Sequence, residues 1–418
     1  MNAIGFLAAA LIFRVGYFAY AFYAGVLLAL AAYLMTHLSM DGLQTERHCT
    51  LRQGEIGEEA VVTVGVRNTQ PFFIPWVVMD DLLSDGLRVL EGTTARAVVM
   101  KPGGSASLRY RVKCDKRGYH RVGPVLFESG DFFGLTRRFL SRADAQFITI
   151  YPKIVPIDKY SIPTHRPLGE VTQQMWIFED PTRIAGVREY RHGDPLRRIH
   201  WKASAKTGVL HSKIYDPSTL QGVNMILDFN ARAWIGEHIS RRAEFGVTVA
   251  ASLASHCAER GLDLGLVSNG VDAADVMETN PISLEAMNRE EARKLMEQPK
   301  HTDRLRPVEV KVRKGGESVL MVMEALARLK FSEGLDLAEM VQREYQGWPR
   351  EDTTAFIVPG ASPELLREIA RLKSMGFSVL VLLVDNPVAA PGLQAALAGI
   401  RVPCIHLREE ADLHRIVL

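Results

Sequence analysis

Cysteine is scarce in this 418-residue sequence, which contains four. Cys49, Cys114, Cys257 and Cys404 lie far apart, so no two of them have the close spacing of a zinc site or a redox motif. This spacing predicts small buried side chains rather than metal ligands. A disulfide between Cys49 and Cys114 stays open, because it would require an oxidising compartment that the sequence does not specify.

An excess of charge of either sign is also absent. The chain has 50 lysines and arginines against 48 aspartates and glutamates, a formal net charge of +2. Proteins that bind nucleic acid through charge carry a strong basic excess, which this chain does not have. We therefore expect no nucleic-acid partner.

The sequence lacks the common catalytic motifs. It contains no Gly-x-Ser-x-Gly elbow, no phosphate-binding Gly-Lys-Ser/Thr loop and no His-Glu-x-x-His zinc motif. Glu189 and Asp194 are candidates for a carboxylate pair, but nearby arginines should keep both ionised, which removes the contrast between acid and base. We expect neither catalysis nor a cofactor. The alternative is an enzyme or accessory factor of cell-envelope metabolism with an unrecognised site.

One long hydrophobic run is present, near the N-terminus. Residues 4–35 contain a single charged side chain, Arg14, and the part from 15 to 35 contains none. A transmembrane helix needs about 20 such residues, whereas a signal peptide has a shorter apolar core and a core helix has a polar face. The run predicts one membrane-spanning helix within a membrane anchor over residues 1–40. The flanking charges do not decide its orientation.

Residues 41–155 show the pattern of short strands. Residues 60–67 have high β propensity, residues 107–113 alternate polar and apolar side chains, and residues 147–151 form another such stretch. Glycine and proline separate these stretches, as at residues 101–104. The pattern predicts an all-β domain with an immunoglobulin-like sandwich architecture.

From residue 221 to 418 the hydrophobic period alternates between strand and helix. Strands are predicted at 222–227, 264–267, 308–312, 355–358 and 379–384, and helices at 237–260, 318–329 and 363–375. Phe245, Val249, Leu253 and Cys257 recur every four residues on one face of the first helix. This alternation predicts an α/β domain with a doubly wound, parallel sheet.

Residues 156–220 form a linker segment between these domains, and residues 188–205 are its distinctive block. The block places charged and aromatic side chains around a Gly193-Asp194-Pro195 turn. One interpretation is a charge network that locks the segment against the flanking domains. The other is a docking surface for a partner protein or an anionic ligand. The candidate interaction residues are Glu189, Tyr190, Gly193, Asp194, Arg197, Trp201 and Lys202.

This block resembles the domain of unknown function 58 family. The similarity lies in Glu189-Tyr190, Gly193-Asp194, Arg197, Ile199, Trp201-Lys202 and Ser204-Ala205, and upstream in Lys116-Arg117-Gly118-Tyr119, Val122-Gly123-Pro124 and Asp131-Phe132-Phe133-Gly134-Leu135. The resemblance implies a membrane-anchored protein in which a β domain precedes a von Willebrand factor A-like domain. Such proteins tend to be encoded beside MoxR-type AAA+ ATPases and are thought to act in the assembly of other complexes. No enzymatic activity is established for the family.

The resemblance therefore implies a non-catalytic interaction or assembly protein with a MoxR-type AAA+ ATPase as its partner. A cytosolic ATPase can reach the domains after the anchor only if they face the cytoplasm, and unpaired cysteines are compatible with that compartment. We accordingly expect a single-pass protein of the cell membrane with its other domains in the cytoplasm.

The resemblance also raises the question of a metal. Von Willebrand A domains hold a divalent cation at an Asp-x-Ser-x-Ser loop, and the matching positions here are Asp228, Asn230 and Arg232, with Ser318 at a later hydroxyl position. Arg232 offers no acceptor and its charge opposes a cation. The Asp-Gly after the fourth strand is replaced by 359–360, Pro-Gly. We expect no metal, which also argues against a metal-dependent adhesion receptor.

Overall fold

The structure, a computed structural model, describes residues 5, 16–131, 137–142, 145–157, 179–191, 198–217, 222–235, 237–279, 290–291, 306–313, 316–385 and 390–416. The chain divides into two compact units. The first, here the β unit, comprises residues 1–152 and 273–301, and the second, here the α/β unit, comprises residues 153–272 and 302–418. The predicted domain boundaries at residues 40, 155 and 220 stay predictions.

Two sheets form the framework of the β unit. The first contains, in spatial order, β1 (Leu43–Cys49), β3 (Glu59–Asn68), β7 (Ser105–Cys114) and β5 (Leu87–Gly92). The second contains, in spatial order, β2 (Gln53–Glu55), β10 (Gln146–Tyr151), β8 (Gly118–Gly130), β4 (Ile74–Leu83) and β6 (Ala95–Met100), and β9 (Arg137–Arg142) also pairs with β8. Neighbouring strands are antiparallel, except that β2 and β10 are parallel.

Both sheets contribute to one hydrophobic core. Alternate residues of β3 are buried, and they share a cluster with side chains of β4, β7, β8 and β10, among them Val64, Met79, Val112, Phe127 and Ile148. The strands predicted within residues 60–67, 107–113 and 147–151 are confirmed. β4 and β8 have no counterpart among the predicted strands, because prolines and buried aspartates interrupt their hydrophobic pattern.

A buried ion pair lies within this β framework. Arg47 of β1 forms a salt bridge with Asp81 of β4, and the side chains of both are almost fully buried. The Tyr110 hydroxyl donates to Asp81 Oδ2 at 2.6 Å, and burial raises the pKa of Asp81 while Arg47 opposes that rise. Gly123 has a φ of +96°, and a Cβ at this position would clash with the Arg47 guanidinium. The Val-Gly-Pro element of β8 therefore makes room for a buried charge.

In the described residues, a helix directly precedes the first strand of the β unit. Helix α1 (Gly16–Asp41) contacts β8 and β9, and Ala32 and Met40 on one side of it are buried. Arg138 of β9 holds its end by pairing with Asp41 at 2.9 Å. Towards its N-terminal end the helix exposes large apolar side chains, namely Tyr17, Tyr20, Tyr23, Val26, Leu27, Leu28, Leu30, Tyr33 and Leu34.

The expected membrane-spanning helix over residues 4–35 differs from this helix in its bounds. Residues 1–4 and 6–15 lie outside the described part of the chain, and α1 continues to Asp41. In the part that the structure describes, no helix combines the length and the apolar character needed to cross a membrane. The structure thus gives the predicted span no support.

A six-stranded sheet organises the α/β unit. Its spatial order is β16 (Val308–Arg313), β14 (Asp263–Ser268), β13 (Gly222–Leu227), β18 (Thr353–Val358), β19 (Ser378–Val384) and β20 (Cys404–Leu407). Counted along the chain, this is the doubly wound order 3-2-1-4-5-6. The side chains of β13 and β18 are buried on both faces, which explains their continuous hydrophobic runs.

The expectation of an entirely parallel sheet is wrong at one edge. Five strands are parallel, whereas β16 runs antiparallel to β14. Along β16 half-buried valines alternate with exposed Glu309, Lys311 and Arg313. An edge strand with this alternation can pair in either direction, so its sequence does not encode which one it adopts.

The helices of the α/β unit lie between these strands in sequence. They are α3 (Ile239–Glu259), α5 (Gly316–Arg328), α6 (Leu337–Glu344), α7 (Pro363–Ser374) and α8 (Ala390–Gly399). The unit also contains α2 (Trp201–Thr207), which precedes the sheet in sequence, while α4 (Ala273–Thr279) belongs to the β unit. Val249, Leu253 and Cys257 of α3 are buried, as their spacing predicts. A short ladder joins β15 (Val271–Asp272) to β17 (Leu329–Lys330), and 3₁₀ turns follow at Tyr345–Gly347 and Glu410–Arg415. Helices α6 and α8 and strand β20 are absent from the predicted elements.

Candidate functional site

The described part of the distinctive block contains the end of one strand and most of one helix of the α/β unit, and a second strand follows it. Strands β11 (Glu179–Glu189) and β12 (His211–Pro217) form an antiparallel ribbon, and helix α2 (Trp201–Thr207) lies between them in sequence. The candidates Glu189, Tyr190, Trp201 and Lys202 belong to this part. The candidates Gly193, Asp194 and Arg197 lie outside the described residues.

Hydrogen bonds fix α2 against β12. His200 caps the helix, since its Nδ1 accepts from the Ala203 amide at 3.0 Å. The His200 amide donates to the His211 carbonyl at 2.8 Å, and the His211 amide donates to Ser204 Oγ at 2.8 Å. Ser204 is buried, so its hydroxyl satisfies a backbone donor that would otherwise lose its partner. These bonds explain structurally why histidine and serine stand at these positions.

The same element exposes four apolar side chains. Trp201 is 68% exposed, and Val187, Val209 and Leu210 also present more than a third of their surface to solvent. The Tyr190 amide bonds to the Leu210 carbonyl, which brings the two sides of the ribbon together. We call Val187, Trp201, Val209 and Leu210 the Trp201 surface. Exposed cationic side chains adjoin it in sequence, namely Arg191, Lys202 and Lys206.

A separate cluster of polar side chains lies where β13 ends, beside β18, at the point where the strand order reverses. Asp228 is 5% exposed, and its Oδ1 accepts from Asn269 Nδ2 at 2.9 Å and from the Asn230 amide at 3.2 Å. Burial raises the pKa of Asp228 to about 6; the two donors oppose this rise, and the carboxylate of Asp336 adds to it. Asp228 is therefore a buried acceptor with an unusually weak tendency to ionise.

The atoms of Asn230 are directed at the protein itself. Its Nδ2 donates to the Leu335 carbonyl at 3.1 Å, and its Oδ1 accepts from the Arg232 amide at 2.9 Å. Asn230 also forms a bridge with Ser332, whose Oγ accepts from the Gly334 amide at 3.0 Å. These bonds close the loop onto the segment that precedes α6.

Ser318 does not join this cluster. Its hydroxyl donates to the Arg313 carbonyl at 2.8 Å, in the first turn of α5. Because β16 is antiparallel, Arg313 pairs with Leu264 near the beginning of β14. Ser318 therefore lies at the amino ends of β13 and β14, whereas Asp228 lies at their carboxyl ends. The structure instead brings Asn269 and Ser332 to Asp228 and Asn230. Their sequence signal is modest: Asn269 directly follows a buried strand, and Ser332 precedes a turn.

These residues do not fit a divalent cation. Asp228 accepts from Asn269, and the nearby Asp336 carboxylate accepts from the Ala338 amide. The Asn230 amide nitrogen faces a carbonyl, and Ser318 lies at the opposite end of the strands. Over the described ranges, no group of three or more histidine, cysteine, aspartate or glutamate side chains is placed to hold a metal ion. Magnesium and calcium require six or more oxygen ligands.

Comparison with known proteins places the distinctive block in a family context. A family model described as "Protein of unknown function DUF58" matches residues 186–303. The uncharacterized protein YeaD of Bacillus subtilis (strain 168) is 27% identical over 256 residues, which cover 60% of this chain and 61% of that protein. The chain thus spans less than two thirds of that relative's length. The resemblance to the domain of unknown function 58 family is confirmed for residues 186–303.

Solved structures resemble only part of the chain. E. coli alpha-2-macroglobulin in its native conformation shares 16% identity at a TM-score of 0.23, covering 27% of this chain and 7% of its own. The CARDB domain of the Pyrococcus furiosus PF1109 protein shares 13% identity at a TM-score of 0.19, covering 26% and 91%. TM-scores of this size define no shared fold. The match to the family model is therefore more informative than these structures, and the described part of its residues 186–303 includes α2, β12, β13 and α3.

Proposed function

We propose that this chain is a non-catalytic interaction protein that docks a partner protein through its Trp201 surface. The observation that carries this proposal is the 68% exposure of Trp201 at the start of a helix whose other contacts are fixed. An exposed tryptophan on a rigid element loses little entropy on binding, and tryptophan is among the residues that dominate interface energies.

The charges around the Trp201 surface indicate the kind of partner. Arg191, Lys202 and Lys206 are exposed near it in sequence and outnumber the exposed carboxylate of Glu189, so we expect a net positive rim. A complementary partner surface is acidic at its rim and apolar at its centre, since such pairing speeds association and excludes other partners. On the family resemblance, we propose that this partner is a MoxR-type AAA+ ATPase.

We propose that the two sheets of the β unit are immunoglobulin-like and that the α/β unit is von Willebrand A-like. The doubly wound order of the six-stranded sheet supports the second assignment. The bonds within the Asp228 cluster support a version of that domain without a metal, in which surface recognition replaces metal coordination.

We also propose, from the apolar run over residues 4–35, that the N-terminal segment attaches the protein to the cell membrane as a single pass, with the domains that follow it in the cytoplasm. Support comes from the large apolar side chains that it exposes, from Tyr17 to Leu34. Tyrosines and leucines without an apolar partner favour the boundary and the interior of a bilayer. A reporter fused to the C-terminus should be active in the cytoplasm; activity outside it would reverse the orientation.

Affinity purification from membranes tests the docking proposal. Trp201→Ala should lose an acidic partner that the parent retains, while its thermal unfolding stays close to that of the parent, because Trp201 is exposed. Phe72→Ala is the matched control, since Phe72 is a half-exposed aromatic residue of the β unit. The proposal is wrong if Trp201→Ala folds normally and recovers every partner of the parent, or if Phe72→Ala loses the same partner.

A further inference from the structure

Arg242 of α3 has an unusual environment. It is the fourth residue of the helix and is 9% exposed. Its Nη1 donates to the Ile235 carbonyl at 2.8 Å, whereas its Nε and Nη2 are buried without a hydrogen-bond partner. Within the ranges described, no carboxylate lies in salt-bridge distance of this guanidinium. The charge is therefore buried and unpaired.

Besides the hydrogen bond to Ile235, the described residues give this guanidinium an aromatic contact. Arg242 Cζ lies 6.0 Å from the centre of the Trp234 ring, at the outer limit of a cation–π interaction. A buried guanidinium is normally tolerated only when its donors are satisfied and an anion faces it. The missing contact is therefore an anion with hydrogen-bond acceptors.

The free donors define the shape of that anion. The Nε–H and one Nη2–H of a guanidinium point the same way, and together they form the fork that binds two oxygens side by side. The Ile235 carbonyl occupies Nη1, the nitrogen on the other side. The unused edge of Arg242 thus matches the paired oxygens of a carboxylate or a phosphoryl group.

The amino end of α3 adds positive potential at the same place. Side chains in a helix lean towards its N-terminus, and Arg242 reaches Ile235, which precedes the helix. The helix has 21 residues, and its N-cap His238 makes no capping bond with its side chain. The helix dipole and the amides of the first turn therefore favour an anion next to the free fork.

The location in the fold is also suited to a ligand. The loop that carries Ile235 leaves β13 at its carboxyl end, next to the point where the strand order reverses, which is where open α/β sheets bind ligands. The Trp234 indole donates to the Asp228 carbonyl at 3.1 Å and fixes the loop. Arg232 and Arg241 are exposed and close to this loop in sequence, and their charges would attract anions.

We propose that Arg242 and the amino end of α3 form a binding site for a small oxyanion, a carboxylate or a phosphoryl group. Both free nitrogens are covered by protein, so the anion reaches them only when the side chains around them shift. The environment of Trp234 changes in that step, which makes its fluorescence a reporter. This site is independent of the Trp201 surface.

The test titrates the full-length protein with inorganic phosphate and, separately, with acetate, at constant ionic strength. Calorimetry and tryptophan fluorescence should show saturable binding of at least one anion, and the preferred anion tells the phosphoryl source from the carboxylate source. Arg242→Gln should weaken binding roughly tenfold to a hundredfold, the range for hydrogen bonds to a charged group. Arg241→Gln is the matched control and should change binding by less than about threefold, since exposed charges contribute little.

Arg242→Lys separates the fork from the charge. It keeps the charge and loses the paired donors, so binding should fall clearly even if Arg242→Gln does not fold. Three outcomes overturn the proposal: no saturable binding of either anion, equal binding by the parent and Arg242→Lys, or an equal loss in Arg241→Gln. The last would mean a diffuse electrostatic attraction rather than a site.

Discussion

Replacing Asp228 by asparagine tests whether the carboxylate at the end of β13 is a buried structural acceptor. Its pKa is raised from 3.8 to about 6, mainly by burial. Well below pH 4 the group is protonated in both folded and unfolded chains, so its pKa shift does not affect stability. Well above pH 6 it is ionised in both, and the whole penalty applies. The parent should therefore lose stability as the pH rises from about 4 to about 6.

The expected magnitude follows from the same values. Each unit by which the folded pKa exceeds the unfolded pKa corresponds to about 1.4 kcal/mol, so ionised Asp228 lowers the free energy of unfolding by about 3 kcal/mol. Asp228→Asn keeps an oxygen that can accept from Asn269 and from the Asn230 amide. The variant should match the parent near pH 3.5 and exceed its stability by about 3 kcal/mol at pH 7.

Urea unfolding of both proteins across this pH range measures the difference. Asp352→Asn is a useful comparison, since burial also raises the pKa of Asp352 to about 6. Asp352 precedes β18 and so lies at the opposite end of the strands from Asp228. A difference between Asp228→Asn and the parent that does not change with pH would refute the burial argument. If Asp228→Asn were the less stable protein at pH 7, and magnesium stabilised only the parent, Asp228 would be a metal ligand and the proposed absence of a metal would be wrong.

Two further predictions concern the stability of the β unit and can be measured by the same urea unfolding. Asp81→Ala should cost about 3–5 kcal/mol, because it leaves the buried Arg47 charge without its partner; a loss below about 1 kcal/mol would mean that water reaches the pair. Gly123→Ala should cost about 1–3 kcal/mol, because its positive φ and the nearby Arg47 guanidinium both oppose a Cβ. Gly103→Ala is its control: Gly103 also has a positive φ but has open space around it, so it should cost less.

The docking proposal and the oxyanion proposal can fail separately. Trp201 lies on α2 and Arg242 on α3, and the test of one variant does not depend on the other site. If the partner binds through the Trp201 surface alone, Arg242→Lys should leave its recovery from membranes unchanged.

The sequence predicted the alternation of strands and helices in the α/β unit well. Strand β13 was placed at 222–227, where it lies, because a strand covered on both faces needs an unbroken apolar run. Helix α3 was found from the four-residue spacing of Val249, Leu253 and Cys257. In the β unit, the alternation of polar and apolar residues predicts β3 and β7. It does not predict β4 and β8, because their buried Asp80, Asp81 and His120 are residue types typical of the surface.

The sequence by itself determined which segments are buried, since burial selects apolar side chains at the period of each element. Only the tertiary structure decided the direction of β16, because an edge strand pairs through backbone groups that every residue carries. Because of that direction, Ser318 lies at the amino ends of β13 and β14, whereas Asp228 lies at their carboxyl ends. Likewise, no local pattern reveals that Arg242 is buried without a counter-charge, since its neighbours come from the fold and not from the chain beside it.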